Sequence, residues 1–268
     1  MSQNFYERVR EPRDSYRARG PTTEEVVDHI FLKRIRNNQN VIAAICGETG
    51  SGKSWTALRI GEMTSPDFGI DSVVFSAKEF LDVLESHSRG ELIIFDEGQE
   101  FGARRSMSKK NVEMTDILTM LRFTQVNVLF TTPNIRQIDI SLRRLMHAYL
   151  DVRPVDRVAG PKHLRNKSVA NIYLIRHRRD PGSSGDDLRR MHPNVAVIRG
   201  GKMLIVKVDS AQFDAPSPDL VGAYEAKKRE VFHERLDRAR AALGGSAPPP
   251  ARPVPAETPA ETSLEGLM

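Results

Sequence analysis

A chain of 268 residues allows one large domain or one domain with appendages. Hydrophobic residues make up 39% and charged residues 28%, a balance that supports a packed, water-soluble core, and no apolar run approaches the length needed to cross a bilayer. The single cysteine, Cys46, excludes an intrachain disulfide framework and makes a cytoplasmic setting the default, while a formal charge of +5 leans towards anionic partners.

Residues 1–22 are charged throughout, lack periodicity and read as an arm rather than a signal peptide. TTEEVVDHIFLKRIRN then predicts a helix. Thr22 or Thr23 caps it, and Val26, Val27, Ile30, Phe31 and Ile35 recur at helical spacing. VIAAIC (41–46) is a short apolar run and predicts a buried strand, followed by a helix over 53–63. VVFS (73–76) predicts a second strand. Ser76 with Glu79 forms a capping-box pattern that opens a helix with Phe80, Leu81 and Leu84 inward. LIIF (92–95) predicts a third strand, and Met114, Ile117, Leu118 and Leu121 mark a helix ending near Arg122. VNVLFT (126–131) predicts a fourth strand, residues 140–147 a helix, and AYLDV a fifth strand. Apolar strands alternating with helices imply an α/β fold, a mostly parallel sheet covered on both faces.

Beyond residue 155 the pattern changes. NIYLIRH (171–177) alternates as a strand does, and residues 195–208 form two strand-like runs around Arg199-Gly-Gly-Lys202, a hairpin signal. DPGSSGDD (180–187) reads as a loop. AYEAKKREVFHERLDRARAAL reads as a helix with Tyr224, Val231, Phe232, Leu236 and Leu243 on one side. From Gly244 the chain is Pro/Ala-rich, a composition expected to be disordered. The expected organisation is therefore an arm (1–22), a core (23–155), a basic hairpin and helix extension packed on it (156–243) and a tail (244–268).

Three stretches carry chemistry. Gly47-Glu48-Thr49-Gly50-Ser51-Gly52-Lys53-Ser54 matches G-x-x-x-x-G-K-[ST], with a strand before it and a helix after it. In such a loop backbone N–H groups and the helix N-terminus wrap nucleotide phosphates. Lys53 reaches the β- and γ-phosphates, Ser54 ligates Mg²⁺, and Trp55 follows in the first turn. The run 91–97 ends a buried strand in Asp96, where a Walker B carboxylate supports Mg²⁺, and Glu97 beside it is placed to polarise water. The fourth strand ends in Thr131-Thr132-Pro133-Asn134. Thr132, then Asn134, is the candidate to touch a γ-phosphate or position water. Arg122, Arg104, Arg105, Arg143 and Arg144 are candidates for an arginine acting in trans, with Arg122 preferred for its place at a helix end. The histidines show no metal-ligand spacing. From Asp151 to Lys207 basic residues outnumber acidic ones, thirteen to five, which suits either a solvated face or a phosphate-backbone contact through Arg176, Arg178, Arg179, Arg189 and Arg190. Arg104, Arg105, Lys109 and Lys110 are the alternative contact.

The order of phosphate loop, strand–helix insertion, FDEGQ, helix ending in arginine, VLFTTPN and LRRLMHAYL resembles the FtsK–HerA superfamily of P-loop ATPases. More narrowly it is similar to small ATPases of archaeal viruses and plasmids and to Zot-like phage assembly ATPases. The resemblance spans about residues 38–155, and more loosely to about 240. It implies ring hexamers that hydrolyse ATP between subunits and move double-stranded DNA, with Lys53, Ser54, Asp96 and Glu97 as the core site and Arg122 as the trans arginine. It also implies packaging or transfer of DNA in a host cell, or association with a virion. Family members often end the fourth strand in Gln, where this chain has FTTPN. The rival expectations are an assembly ATPase that acts on virion or membrane proteins, and a small-molecule or nucleotide kinase. A GTPase is disfavoured because Asn166-Lys167-Ser168-Val169 lacks the aspartate of a base-reading motif.

Overall fold

The apolar run after Asn40 becomes β1 (Ile42–Cys46), every residue of which is buried, as a strand covered on both faces allows. In this computed structural model, which describes residues 20–96, 109–153, 167–177 and 188–243, β1 lies at the middle of an eight-stranded sheet. β4 (Asn127–Thr132) and β5 (Ala148–Arg153) flank it in parallel. β3 (Leu92–Phe95) lies beyond β4, and β2 (Val73–Val74) beyond β3, both also parallel. On the other side β6 (Lys167–His177) pairs antiparallel with β5. Its outer edge is shared: β10 (Ser210–Asp214) takes residues 167–171 and β7 (Leu188–Met191) takes 174–177. The sheet thus runs β10-β6-β5-β1-β4-β3-β2, and the boundary expected at residue 155 falls inside it. The α/β expectation holds, with both faces covered.

The first helical segment is interrupted. α1 (Thr23–Val27) passes into a π-helical turn (Asp28–Leu32) and then α2 (Lys33–Arg36). Thr22 caps α1 through a full capping box: its hydroxyl accepts from Glu25 N–H, and the Glu25 carboxylate accepts from Thr22 N–H at 2.8 Å. α3 (Lys53–Thr64) follows the phosphate loop and packs against β1, β3 and β4. On the opposite face, α4 (Ala77–Leu84), α5 (Lys109–Thr124) and α6 (Ile140–Leu145) bring Phe80, Met114, Leu118, Leu121 and Leu142 onto Ile42, Ile93, Phe95, Val128 and Phe130. The Ser76 hydroxyl caps α4, accepting from Glu79 N–H at 3.1 Å. Leu81, expected inward, is exposed. The helix turns Val83 towards the core instead, beside Leu84.

β8 (Asn194–Arg199) and β9 (Lys202–Lys207) form the expected hairpin as a separate two-stranded sheet. Its turn residues Gly200 and Gly201 have φ of 58° and 75°, the double left-handed conformation that a two-residue primed turn requires. Arg199 ties the hairpin to α1 by an ion pair with Glu25 at 2.7 Å, which holds the Glu25 carboxyl below its ordinary range. α7 (Pro218–Ala242) buries only Leu220 and Tyr224, whereas Phe232 and Leu243, expected on a packed side, are exposed. The chain divides into two compact units, Met1–Ala226 and Lys227–Met268, so all strands and both β-sheets belong to the first. Among the described residues no helix is long and apolar enough to cross a membrane.

Candidate functional site

The candidate site forms where β1 ends. A parallel sheet aims the carboxyl ends of its strands at one edge, and β1, β3 and β4 deliver their last residues there. Leaving β1, the chain turns through Gly47, Gly50 and Gly52, with φ of 151°, 82° and 100°. Gly47 has no room for a side chain: a Cβ would sit 2.5 Å from the Val152 carbonyl oxygen of β5 and 2.7 Å from Ser51 Oγ. Gly52 is the N-cap of α3, so the helix begins at Lys53 and its first-turn N–H groups face the loop. Ser51 N–H donates to the Glu48 carbonyl at 3.1 Å, closing the loop into a cradle. Lys53 Nζ reaches back over it and donates to the same carbonyl at 2.7 Å. Ser51 Oγ is buried with no partner among the described residues. Buried polar atoms are normally paired, so this hydroxyl marks a place built to face a polar group.

Asp96 follows the last residue of β3 and is 1% exposed. A buried carboxylate is tolerated only when donors surround it. Here Ser54 Oγ donates to Oδ1 at 3.0 Å, Thr131 of β4 donates to the same oxygen, and the Tyr224 hydroxyl of α7 donates to Oδ2 at 2.7 Å. Charge-assisted bonds of this kind are roughly twice as strong as neutral ones. The first turn of α3 and the end of β3 are therefore joined across the intervening β4. Thr56, also of α3, donates to the Gly52 carbonyl at 3.0 Å and meets Ser168 of β6 at 2.6 Å, anchoring the loop's helix to the antiparallel side of the sheet.

The other expected residues are placed as follows. Gly47, Glu48, Thr49, Gly50, Ser51, Gly52, Lys53, Ser54 and Trp55 are the loop and the opening of α3, with Trp55 half-buried. Thr132 is buried at the same strand end, but its hydroxyl bonds the Asn134 carbonyl at 3.2 Å, and Thr131 is the one that reaches Asp96. Successive strand residues point to opposite faces, which separates these two hydroxyls. Asn134 caps a short 3₁₀ turn by accepting from Arg136 N–H. Arg122 is exposed in the last turn of α5, beside Met120 and Phe123, which are 71% and 93% exposed. Arg143 Nε donates to the Ile138 carbonyl at 3.1 Å, and Arg144 is exposed. Arg190 lies over the Tyr149 ring at 4.8 Å. By backbone register Arg176 of β6 pairs with Arg189 of β7. Glu97, Arg104, Arg105, Arg178 and Arg179 lie outside the described residues, as do the side chains of Lys109 and Lys110. Sequence reasoning missed Tyr224 and Thr131. For Thr131 a signal exists, a hydroxyl on the strand between the loop strand and the aspartate strand. For Tyr224 there is none, because its partner lies 128 residues away.

Two features favour a magnesium nucleotide here. Ser54 and Asp96 offer hard oxygen donors, the set that Mg²⁺ takes alongside phosphate oxygens. The unpartnered Ser51 hydroxyl sits in the loop where a phosphate would lie.

The family model described as zonular occludens toxin (Zot) matches residues 76–156. No curated protein matches the chain. Among solved structures, the N-terminal domain of zonular occludens toxin from Neisseria meningitidis is 19% identical, covering 64% of this chain and 95% of that one, with a TM-score of 0.36. The genome packaging NTPase B204 from Sulfolobus turreted icosahedral virus 2, in complex with ATP-gammaS, is 13% identical over 52% of this chain and 97% of that one, with a TM-score of 0.33. EssC (ATPases 2 and 3) from Geobacillus thermodenitrificans is 13% identical over 81% of this chain and 47% of that one, with a TM-score of 0.32. The fold and the site define a P-loop ATPase. Over residues 76–156 the chain is similar to the Zot family model.

Proposed function

We propose that the protein is a Mg²⁺-dependent ATPase that works as a ring-forming motor on double-stranded DNA, in viral genome packaging or plasmid DNA transfer. The observation that carries the chemistry is the Ser54–Asp96 bond at 3.0 Å, which couples the phosphate loop to the aspartate strand. Lys53 leaves the Glu48 carbonyl to pair with the β- and γ-phosphates. Ser54 and Asp96 would hold Mg²⁺, which when bound would neutralise charge on the phosphate oxygens. Glu97, next to Asp96, polarises the attacking water, and Thr131 holds the aspartate. Exposed Val112, Met120 and Phe123 on α5 support a subunit contact around Arg122, since arginine and large apolar side chains are what interface centres favour. The excess of basic over acidic residues from Asp151 to Lys207 supports a phosphate-backbone contact.

The Zot match favours a second reading, an ATP-gated assembly protein acting on virion or membrane proteins without moving DNA. One experiment separates the two: ATPase rate with and without double-stranded DNA, alongside native mass. Stimulation by DNA in a ring-sized species supports the motor. A monomer indifferent to DNA overturns it.

A further inference from the structure

The first turns of α7 follow every described strand in the chain, and both of their anchors are on site elements. Just before the helix, Ser217 N–H donates to Glu62 Oε1 of α3 at 2.9 Å. One turn in, Leu220 is buried, and a turn later the Tyr224 ring stacks on Phe75 at 6.2 Å between centroids while its hydroxyl donates to Asp96 Oδ2. The two oxygens of Asp96 are thereby given different work. Oδ1 takes Ser54 and Thr131, and Oδ2 takes Tyr224. The terminal torsion of an aspartate is soft, so a carboxylate held at one oxygen can still swing. The Tyr224 bond to Oδ2 adds a restraint on the carboxylate plane from the side opposite Ser54 and Thr131.

We propose that Tyr224 is a positioning residue for Asp96, and that docking of the first turns of α7 and metal binding at Ser54 and Asp96 are mutually dependent. The inference rests on the reading of that pair as the metal site. Loss of a group that orients a metal ligand from behind typically costs about 10–100-fold in metal affinity. Coupling of this kind is reciprocal: if Tyr224 strengthens metal binding, metal strengthens the docking of α7 by the same factor.

The test uses the full chain, wild type and Tyr224→Phe, with a fluorescent non-hydrolysable ATP analogue titrated over a Mg²⁺ series and in EDTA. Tyr224→Phe keeps the ring and removes only the hydroxyl. The expected result is unchanged affinity in EDTA and a roughly 10–100-fold rise in the Mg²⁺ concentration needed for tight binding. Amide exchange over residues 218–226 supplies a second readout, independent of affinity. It slows in wild type when Mg²⁺ and analogue are added together, and in Tyr224→Phe it does not. Wild-type Mg²⁺ dependence in folded Tyr224→Phe, or exchange in wild type indifferent to Mg²⁺ and analogue, overturns the inference alone. Nucleotide binding by wild type that ignores Mg²⁺ overturns the metal reading and the inference with it.

Discussion

Replacing Gly47 by alanine is the most direct probe of how the phosphate loop is seated. The added methyl meets a backbone carbonyl, Val152 O of β5, at 2.5 Å, and Ser51 Oγ at 2.7 Å. Real side chains essentially never approach within 3.0 Å, so loop or strand must retreat by about half an ångström. Overpacking of this sort costs about 1–3 kcal/mol, and an alanine held at positive φ about 1–3 kcal/mol more. The expected loss is about 2–6 kcal/mol out of the 5–15 kcal/mol typical of a folded domain. Retreat of the loop also opens the phosphate cradle, so nucleotide affinity falls at least about tenfold, equivalent to about 1.4 kcal/mol. Urea midpoints and titration with a fluorescent ATP analogue measure the two effects. Gly69→Ala is the control: a Cβ there has nothing within 4 Å, and its φ is −142°. Wild-type midpoint and affinity in Gly47→Ala would refute the geometry of the loop.

Lys53→Ala should abolish most ATP affinity or turnover while the chain still folds, because Lys53 is no part of the apolar core; wild-type hydrolysis in the folded variant sinks the assignment. Glu97→Gln should bind Mg²⁺ and ATP but lose turnover about 10²-fold or more, and equal loss of binding would make Glu97 a metal or structural residue. Burial, assisted by Lys33, pushes the His29 pKa down, so the folded state disfavours its proton. Stability is then full above the unfolded value of about 6.5 and declines as pH falls below it; urea midpoints at pH 7.5 and 5.5 should differ less in His29→Gln, and an identical pH slope refutes this. Burial, with Asp151 adding to it, raises the Cys46 thiol to about 12, so iodoacetamide at pH 8 should label it only after unfolding, and fast labelling of the folded protein contradicts its placement.

The strands of the core were legible because buried parallel strands must be apolar along their length. LIIF is β3 residue for residue, and the phosphate loop announced itself by glycines that only a tight turn needs. The edge strands were not. β7 reads LRRM and β10 reads SAQFD, short polar runs whose pairing comes from β6 rather than from their own pattern. In α4, Phe80, Val83 and Leu84 form the stripe that faces the core, and Leu81, next to Phe80, falls outside it. At the site, periodicity marked Tyr224 as an apolar helix residue. That its hydroxyl touches Asp96 depends on the path of β6 to β10, which no local rule contains.

The span between Asp96 and Tyr224 also bears on synthesis. Ser54 precedes the aspartate by 42 residues and Thr131 follows by 35, but Tyr224 comes 128 later. At about 5–20 residues per second, a ribosome takes roughly 6–26 s to travel that distance. During that interval the nascent chain carries the phosphate-loop sequence and the aspartate without the tyrosine hydroxyl. On the proposal that Tyr224 positions Asp96, the site is complete only once the first turns of α7 are translated, and a message cut or stalled upstream of that helix yields the loop and the aspartate without the tyrosine hydroxyl.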